Sequence, residues 1–239
     1  MRIPIFSDLL DLFFPRECPA CRSLFQEESL LCSACRNALG DQRLTAATFN
    51  ILEMPVLSAY AYAWPLDQII PVAKSKNQPR LFDPLVEGMA ASLREAGLVE
   101  YPQAIVPVPL HPSRRRERGY DQALYLARAV GRMLDLPVER RVLKRTRATP
   151  PQKAESRERR LEALHDSFSP GREASRVSDR RVLLIDDVVT TGATLSAAVM
   201  ALQTASPAGV LCLTSARTER LRIGPEEPES GGGEHESGD

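Results

Sequence analysis

From residue 101 onward the chain alternates between short apolar runs and segments whose apolar residues recur at helical spacing. The apolar runs at 103–109, 180–187 and 209–217 have strand length, and helical patterns at 120–136 and 192–205 lie between them. Strands joined by helices of this length lie mainly parallel, with the helices covering both faces of the sheet. The alternation therefore predicts an α/β domain with a parallel sheet.

Apolar spacing assigns the rest of the chain in less detail. A helix is predicted to begin near Pro79 and to end near Gly97, and a short amphipathic helix to precede Pro15. Residues 37–55 show no regular pattern and are predicted to be irregular. Further candidate elements are strands at 57–64 and 141–146, and a charged helix or helix-prone loop at 153–165.

Length and composition limit the number of domains and the class of partner. A chain of 239 residues that is 43% hydrophobic can bury one full-sized core and a small appendage. The net charge is zero, but residues 111–160 hold 15 basic against 6 acidic residues, and residues 219–239 hold 7 acidic against 2 basic. No apolar run approaches the ~18–20 residues that cross a bilayer. We therefore expect no integral membrane segment and a cytoplasmic location.

Four of the five cysteines form two CxxC pairs, Cys18 with Cys21 and Cys32 with Cys35, with ten residues between the pairs. Two such turns brought together present four thiolates to one tetrahedral ion, which is the arrangement of a structural zinc site. Two disulfides, a redox-active CxxC and an iron–sulfur cluster are the alternatives. A closed four-cysteine site leaves no open position for a substrate, so catalysis is sought elsewhere. Cys212, in an apolar run, is expected to be a buried packing thiol.

In the run VLLIDDVVTTGATL (182–195), an apolar strand is followed by two acidic residues and then by a hydroxyl-rich turn. Ligands of parallel α/β sheets bind at the carboxyl ends of the strands, where this turn should lie. Backbone amides of 188–194 and the following helix start can hold an anion, with hydroxyls from the threonines. Asp186 and Asp187 would repel a phosphate directly, and they suit ribose hydroxyls or a hydrated magnesium ion.

The same run resembles the loop of type I phosphoribosyltransferases that binds 5-phosphoribosyl-1-pyrophosphate (PRPP). With the cysteine pairs and IVPVPLHPSRRRERGYDQA (105–123), the chain resembles the ComF/GntX family over roughly residues 5–218. TPPQKAESRERRLEALHDSF (149–168) also matches the family pattern. Two positions depart from it, because Asp121 and Ala163 stand where asparagine is commoner.

The resemblance implies a type I phosphoribosyltransferase-like parallel sheet with helices on both faces, plus a small N-terminal zinc module. It implies that the loop takes the 5-phosphate, that Asp186 and Asp187 take the ribose diol, and that magnesium accompanies PRPP. Among several arginines, Arg118 is the preferred partner of the pyrophosphate, and Asp186, Asp187 and Arg118 are the candidate catalytic residues. The candidate PRPP-binding residues are Val108, Pro109, Gly119, Asp186, Asp187, Val188, Val189, Thr190, Thr191, Gly192, Ala193 and Thr194.

The expected organisation is a helix and zinc module at 1–40, a phosphoribosyltransferase-like domain at 41–223 and a disordered acidic tail at 224–239. The family resemblance links the chain to DNA uptake or DNA and nucleotide utilisation, in company with other DNA-uptake proteins. Two hypotheses stay open: a magnesium-dependent phosphoribosyltransferase of unknown acceptor, and a non-catalytic protein that binds PRPP as a ligand and holds single-stranded DNA through residues 111–160. Thr190 stands where purine-salvage enzymes often carry an aspartate, which argues against a hypoxanthine or guanine acceptor.

Overall fold

The structure, a computed structural model, describes residues 16–45, 48–146 and 167–218. Two short 3₁₀ helices occupy Pro79–Phe82 and Ala174–Val177. The remaining elements in chain order are β1 (Arg16–Glu17), β2 (Leu24–Phe25), α1 (Ser33–Asp41), β3 (Thr48–Ile51), β4 (Met54–Ala61), α2 (Leu66–Ser75), α3 (Asp83–Glu95), β5 (Ala104–Pro107), α4 (Pro112–Arg118), α5 (Gln122–Leu134), β6 (Leu143–Arg145), β7 (Phe168–Pro170), β8 (Arg181–Val189), α6 (Ala193–Gln203) and β9 (Gly209–Arg217).

A five-stranded sheet in the order β3-β4-β9-β8-β5 forms the centre of the fold. Strands β4, β9, β8 and β5 are parallel to one another, and β3 adds an antiparallel edge to β4. The two central strands, β8 and β9, are buried along nearly their whole length, as strands covered on both faces must be. The predicted α/β class with a mainly parallel sheet is confirmed.

Successive side chains of the central strands point into two different hydrophobic cores. Leu183 and Ile185 of β8 pack in the core beneath α2, α3 and α5. Val182 and Leu184 pack in the core beneath α6 and the antiparallel pair β6 and β7. This alternation follows from the two-residue period of a strand. Helices therefore cover both faces of the sheet, as the sequence predicts.

Most predicted elements agree with the structure to within a few residues, and β9 agrees at both ends. The prediction that residues 37–55 are irregular is wrong, because α1 continues to Asp41 and β3 forms a hairpin with β4. The turn of that hairpin, Leu52–Glu53, has positive φ at both residues without the glycine or asparagine that normally indicates such a turn. The N-terminal amphipathic helix, the 153–165 segment and the acidic tail lie outside the described residues.

Three helices were not predicted, namely α1, α2 and α4. Helix α2 contains Pro71, which masks its helical pattern, and α4 consists of PSRRRER, which buries no residue. In the part of the chain that the structure describes, no helix has the length and apolar character needed to span a bilayer.

Candidate functional site

A cavity of about 280 Å³ opens at the carboxyl ends of β5 and β8. The loops that follow neighbouring parallel strands lie together at this edge of the sheet, which is where parallel α/β sheets bind ligands. The cavity walls come from β8, from the loop after β5, from the ends of α2, α4 and α5, and from β6. Its lining residues are Lys74, Val108, Pro109, Leu110, His111, Arg114, Arg118, Asp121, Gln122, Ala123, Arg145, Asp186, Asp187, Val188 and Thr194.

Asp186 and Asp187 lie side by side at the end of β8 and are both buried. Burial and the neighbouring charge of Asp187 raise the pKa of Asp186 well above its usual range. Burial acts to raise the pKa of Asp187 too. The positive charge of Lys74 and the hydrogen bonds that Lys74 and the Val188 amide donate to Asp187 outweigh this effect and lower its pKa. Because the two pKa values shift in opposite directions, Asp186 keeps its proton to a higher pH than Asp187 does.

Both carboxyls are also held by backbone groups. The Asp187 amide donates to Asp186 Oδ1 at 2.9 Å, and the Val188 amide donates to Asp187 Oδ1 at 2.8 Å. The Ser215 hydroxyl of the adjacent strand β9 donates to the Asp187 carbonyl at 2.6 Å. The two side chains therefore face the cavity in fixed orientations.

The segment Arg118–Gln122 joins α4 to α5 and organises another part of the cavity wall. Gly119 ends α4 in the left-handed conformation (φ 78°) and lies against the side chain of Asn77. The Tyr120 hydroxyl donates to the Ala73 carbonyl of α2 at 2.8 Å. Asp121 accepts from the Leu124 amide at 3.1 Å, which caps α5, and from the Leu110 amide at 3.2 Å. The segment thus fixes the loop after β5 and the end of α2 at once, and Asp121 makes both contacts although asparagine is commoner there.

Two polar atoms of this wall are buried without a hydrogen-bond partner among the described residues, Arg118 Nη1 and Gln122 Oε1. Both side chains line the cavity. Buried polar groups are satisfied in most native structures, and an unsatisfied one calls for a missing partner. A ligand carrying both an anion and a hydrogen-bond donor would supply both partners.

The turn from β8 into α6 forms a further side of the site. Gly192 adopts the left-handed conformation (φ 78°) at the N-cap of α6. Because glycine has no side chain, it cannot accept hydrogen bonds from the free backbone amides of the first turn of this helix. The amides of Thr191, Gly192 and Thr194 find no acceptor among the described residues. Such amides at the start of a helix of 11 residues can hold an anion.

The structure brings together some of the residues singled out in the sequence and sets others apart. Those that line the cavity are Val108, Pro109, Arg118, Asp186, Asp187, Val188 and Thr194. Val189 points into the core beneath α6, and Gly119 shapes the wall from behind. Thr190, Thr191, Gly192 and Ala193 form the turn beside the cavity without lining it.

Lys74 and Arg145 are site residues that sequence reasoning missed. Lys74 belongs to the last turn of α2 and pairs with Asp187, and Arg145 lies on β6 with its guanidinium 5.0 Å from the ring centre of Phe168. His111 also lines the cavity and caps α4, with Nδ1 2.7 Å from the Ser113 hydroxyl. Pro71 masks the helical pattern that would have placed Lys74, and no local signal indicates Arg145. The position of His111 directly before Pro112 is the one local signal for these roles, because proline is common at the first position of a helix.

The four cysteines of the CxxC pairs form a second site. Their sulfur atoms all lie within 4.8 Å of one another, and Cys21 Sγ is 3.6 Å from Cys32 Sγ. Four sulfurs about 2.3 Å from a central zinc ion lie roughly 3.8 Å apart, so the observed set fits a tetrahedral Zn²⁺. Cys18 and Cys35 are fully buried, and burial raises the pKa of the Cys35 thiol, so a cation is needed to hold it as a thiolate. The geometry supports the predicted structural zinc site, and Cys212 is the predicted buried thiol.

Comparisons with known proteins match both parts of the chain. A phosphoribosyl transferase domain matches residues 121–230, and a double zinc ribbon domain matches residues 9–45. A purine phosphoribosyltransferase structure from Pyrococcus horikoshii is 19% identical, with a TM-score of 0.37, and the match covers 60% of this chain and 77% of that one. The fold, the domain matches and the cysteine site define a phosphoribosyltransferase-like protein with an N-terminal zinc module.

Two curated relatives narrow this class. Competence protein F of Haemophilus influenzae is 36% identical over 138 residues, which are 56% of this chain and 60% of that protein. DNA utilization protein YhgH of Escherichia coli is 28% identical over 188 residues, 75% of this chain and 80% of that protein. The chain is thus similar to Competence protein F and to YhgH, in agreement with the ComF/GntX resemblance of its motifs. It matches less than two thirds of the Haemophilus protein's length, and the activity and partners of this chain are treated below as proposals.

Proposed function

We propose that the cavity binds PRPP with magnesium and that the protein is a phosphoribosyltransferase-like component of DNA uptake or DNA and nucleotide utilisation. The observation that carries the proposal is that two buried acids and a buried Arg118 Nη1, which has no hydrogen-bond partner among the described residues, line the same cavity. A sugar that carries hydroxyls on one face and an anionic group on another fits this division of charge. The link to DNA rests on the names of the two relatives.

The residues suggest one orientation of PRPP in the site. The ribose diol lies against Asp186 and Asp187, and the 5-phosphate lies at the open amides between Thr191 and Thr194. The pyrophosphate lies along the loop that contains Val108 and Pro109, towards Arg118. The Val108 amide donates to the Ile185 carbonyl at 2.8 Å, so this loop is anchored to β8 itself. Each group of the ligand then meets a protein group of suitable charge.

A transfer reaction in this orientation breaks the bond from the ribose anomeric carbon to pyrophosphate and forms one to an acceptor. Negative charge grows on the departing pyrophosphate while positive charge grows on the sugar. Arg118, with Arg114 and Arg145 at the cavity wall, would stabilise the first, and the Asp186–Asp187 pair would orient and stabilise the second. Magnesium, when bound with PRPP, neutralises phosphate charge.

Isothermal titration of PRPP with magnesium into the zinc-loaded chain tests the binding proposal. We expect saturable binding by the wild type. The double variant Asp186→Asn with Asp187→Asn should bind about 10–100-fold more weakly, because two charged hydrogen-bond acceptors are lost. Asp179→Asn changes an exposed aspartate just before the amino end of β8, outside the cavity lining, so it is the matched control and should bind as the wild type does. Absence of binding by the wild type, or equal binding by the double variant, would contradict the proposal.

A pyrophosphate-release assay then separates turnover from ligand binding. PRPP and magnesium are presented with a panel of bases, amines and single-stranded DNA. Release that requires one acceptor assigns a transferase and names the acceptor class. Binding without release under every condition supports a protein that uses PRPP as a ligand only.

Binding of single-stranded DNA is the second candidate function, and the exposure of α4 favours it. Arg114, Arg115 and Arg116 are all exposed on this helix, and Arg114 also lines the cavity. Clustered exposed arginines bind a phosphate backbone with an affinity that falls steeply with salt. Replacing all three by glutamine should weaken binding of a single-stranded oligonucleotide and flatten its salt dependence. An affinity that salt does not change would contradict this candidate.

A further inference from the structure

Lys74 places a cationic side chain directly against the acidic pair. Its Nζ contacts Asp187 Oδ2, and about three quarters of the lysine side chain is buried, with 24% of it exposed. The residue comes from α2, more than 100 positions from Asp187 in the chain, and lies outside every segment that resembles a known motif. The contact is therefore a tertiary feature of the site.

The turn between α4 and α5 contacts the chain on both sides of Lys74 and so fixes its position. Its neighbour Ala73 is fully buried and accepts a hydrogen bond from the Tyr120 hydroxyl. Two residues past the helix, Asn77 packs against Gly119 so closely that a Cβ there would lie 2.7 Å from the Asn77 amide nitrogen. The end of α2 is thus attached to the same turn that presents Arg118. The backbone that carries Lys74 is therefore fixed relative to Arg118, and the contact with Asp187 has to order only the lysine side chain itself.

The charges around the cavity show what Lys74 contributes. Arg114, Arg118 and Arg145 line the cavity, but Lys74 is the only cation that makes a direct ion pair with either acid among the described residues. A buried carboxylate without a paired cation is costly, so two adjacent ones normally hold a metal ion or a basic side chain. Here the basic side chain is already present at Asp187, and a divalent ion bound directly to that carboxylate would meet the ammonium at the same oxygen.

We propose that Lys74 is the resident counter-ion of the acidic pair, occupying at Asp187 the place that a divalent cation would otherwise take in the free protein. Magnesium then enters the site only as a complex with a phosphorylated sugar, held chiefly by the ligand's phosphates. This inference deepens the proposed function, on which it rests for the identity of the ligand. Lys74 is a positioning residue, since it keeps the Asp187 carboxylate charged and oriented towards the sugar hydroxyls.

Titration with Mn²⁺, followed by electron paramagnetic resonance on the zinc-loaded chain in the absence of any sugar phosphate, tests the proposal. The wild type is expected to show no saturable Mn²⁺ site. Lys74→Met keeps the length and apolar stem of the side chain but removes its charge. It should create a saturable Mn²⁺ site with an affinity at least about tenfold above the weak, unsaturated binding of the wild type, because a metal ion can now neutralise the two carboxylates. Adding Asp187→Asn to Lys74→Met should abolish that site.

Lys76→Met is the matched control, since Lys76 is exposed and lies two residues further along the chain. It should bind Mn²⁺ as the wild type does. The proposal would be overturned if the wild type bound Mn²⁺ saturably and Asp187→Asn abolished that binding. This comparison does not depend on whether the lysine variant folds. A folded Lys74→Met without a new Mn²⁺ site would also overturn it. No step uses PRPP, so failure here is distinct from failure of the proposed function.

Discussion

The burial of Asp186 is expected to lower the free energy of unfolding, so stability of the fold does not explain it. A carboxyl at the end of a strand is normally solvated, yet this one is 9% exposed and lies beside a second acid. A residue kept in such surroundings despite its cost is expected where a ligand uses it. The acidic pair therefore should lower the stability of the free protein while serving the ligand site.

The pH dependence of stability tests this trade-off. Burial raises the pKa of Asp186, whereas an aspartate in the unfolded chain has a pKa of about 3.9. Between these two pKa values the unfolded chain binds fewer protons than the folded one, so this carboxyl lowers stability as pH rises. Asp186→Asn removes the effect and keeps the acceptor for the Asp187 amide. Its Tm relative to wild type should be higher at pH 8 than at pH 4.5, by about 2–4 °C for each kcal/mol recovered.

Differential scanning calorimetry at the two pH values measures this shift. Asp179→Asn, on an exposed aspartate, is the control for removing one acidic charge from the chain. An Asp186→Asn variant whose Tm relative to wild type is the same at both pH values, or falls at pH 8, would contradict the account of the buried pair.

Residues that act within one sequence segment were predictable, and residues that act across segments were not. The four cysteines and the Asp186–Asp187 pair each carry their chemistry in the local spacing. Lys74 and Arg145 reach the cavity from elements far away in the chain, and neither has a neighbour in sequence that would explain it. Only the fold brings their charges to the site.

The turn between α4 and α5 shows how an element can position several site residues. Gly119 permits the left-handed conformation that directs Arg118 into the cavity while Tyr120 turns back towards α2. A side chain at this position would meet both the conformational penalty and the side chain of Asn77. The RGYDQ sequence was recognised by resemblance, but its physical role follows from these contacts.

Gly119→Ala is expected to destabilise the protein and to weaken PRPP binding. The left-handed conformation costs an alanine roughly 1–2 kcal/mol, and the displaced turn moves Arg118. Gly97→Ala is the matched control, because Gly97 also has positive φ (67°), with nothing within 4 Å of an added Cβ. Both variants should lose Tm in calorimetry, but only Gly119→Ala should lose PRPP affinity in titration. Equal PRPP affinity in the two variants would show that the turn does not position the site.

Element prediction succeeded where the apolar period was clear and failed where local chemistry departed from the usual signals. The run GVLCLTSAR was read correctly to both ends because a fully buried parallel strand is apolar throughout. The β3–β4 hairpin was missed because Leu52–Glu53 carries no turn signal, and α2 was missed because Pro71 interrupts its pattern. In each case tertiary packing overrides the local preference.

At the scale of the whole molecule, the zinc module shares its hydrophobic core with the sheet domain. Leu31, Cys35 and Leu39 belong to the same buried cluster as Leu85 and Met89 of α3. Arg43, just after α1, reinforces this junction by donating to the Gly88 carbonyl at 2.7 Å and pairing with Glu95 at 3.0 Å. The division of the chain at residue 40 remains a prediction, and the shared core implies that the two parts unfold together.

Loss of zinc should therefore destabilise the entire protein in one transition. Cys21→Ser changes an exposed cysteine and removes one of four ligands, so the zinc content should fall from one ion per chain and Tm should fall by more than about 5 °C. Cys212→Ala is the control, because it removes a buried thiol that is not a ligand. It should lower Tm while keeping one zinc ion per chain by elemental analysis. A Cys21→Ser protein that keeps its zinc and its Tm would contradict this account.

A crystal structure of the chain with PRPP and magnesium tests the central claim most directly. The account predicts the ribose hydroxyls within hydrogen-bonding distance of Asp186 and Asp187, the 5-phosphate at the amides of Thr191–Thr194, and the pyrophosphate on the side of Arg118, with Lys74 still in contact with Asp187. Density for PRPP in this cavity with the ribose turned away from both carboxylates, or at any other place on the protein, would contradict it.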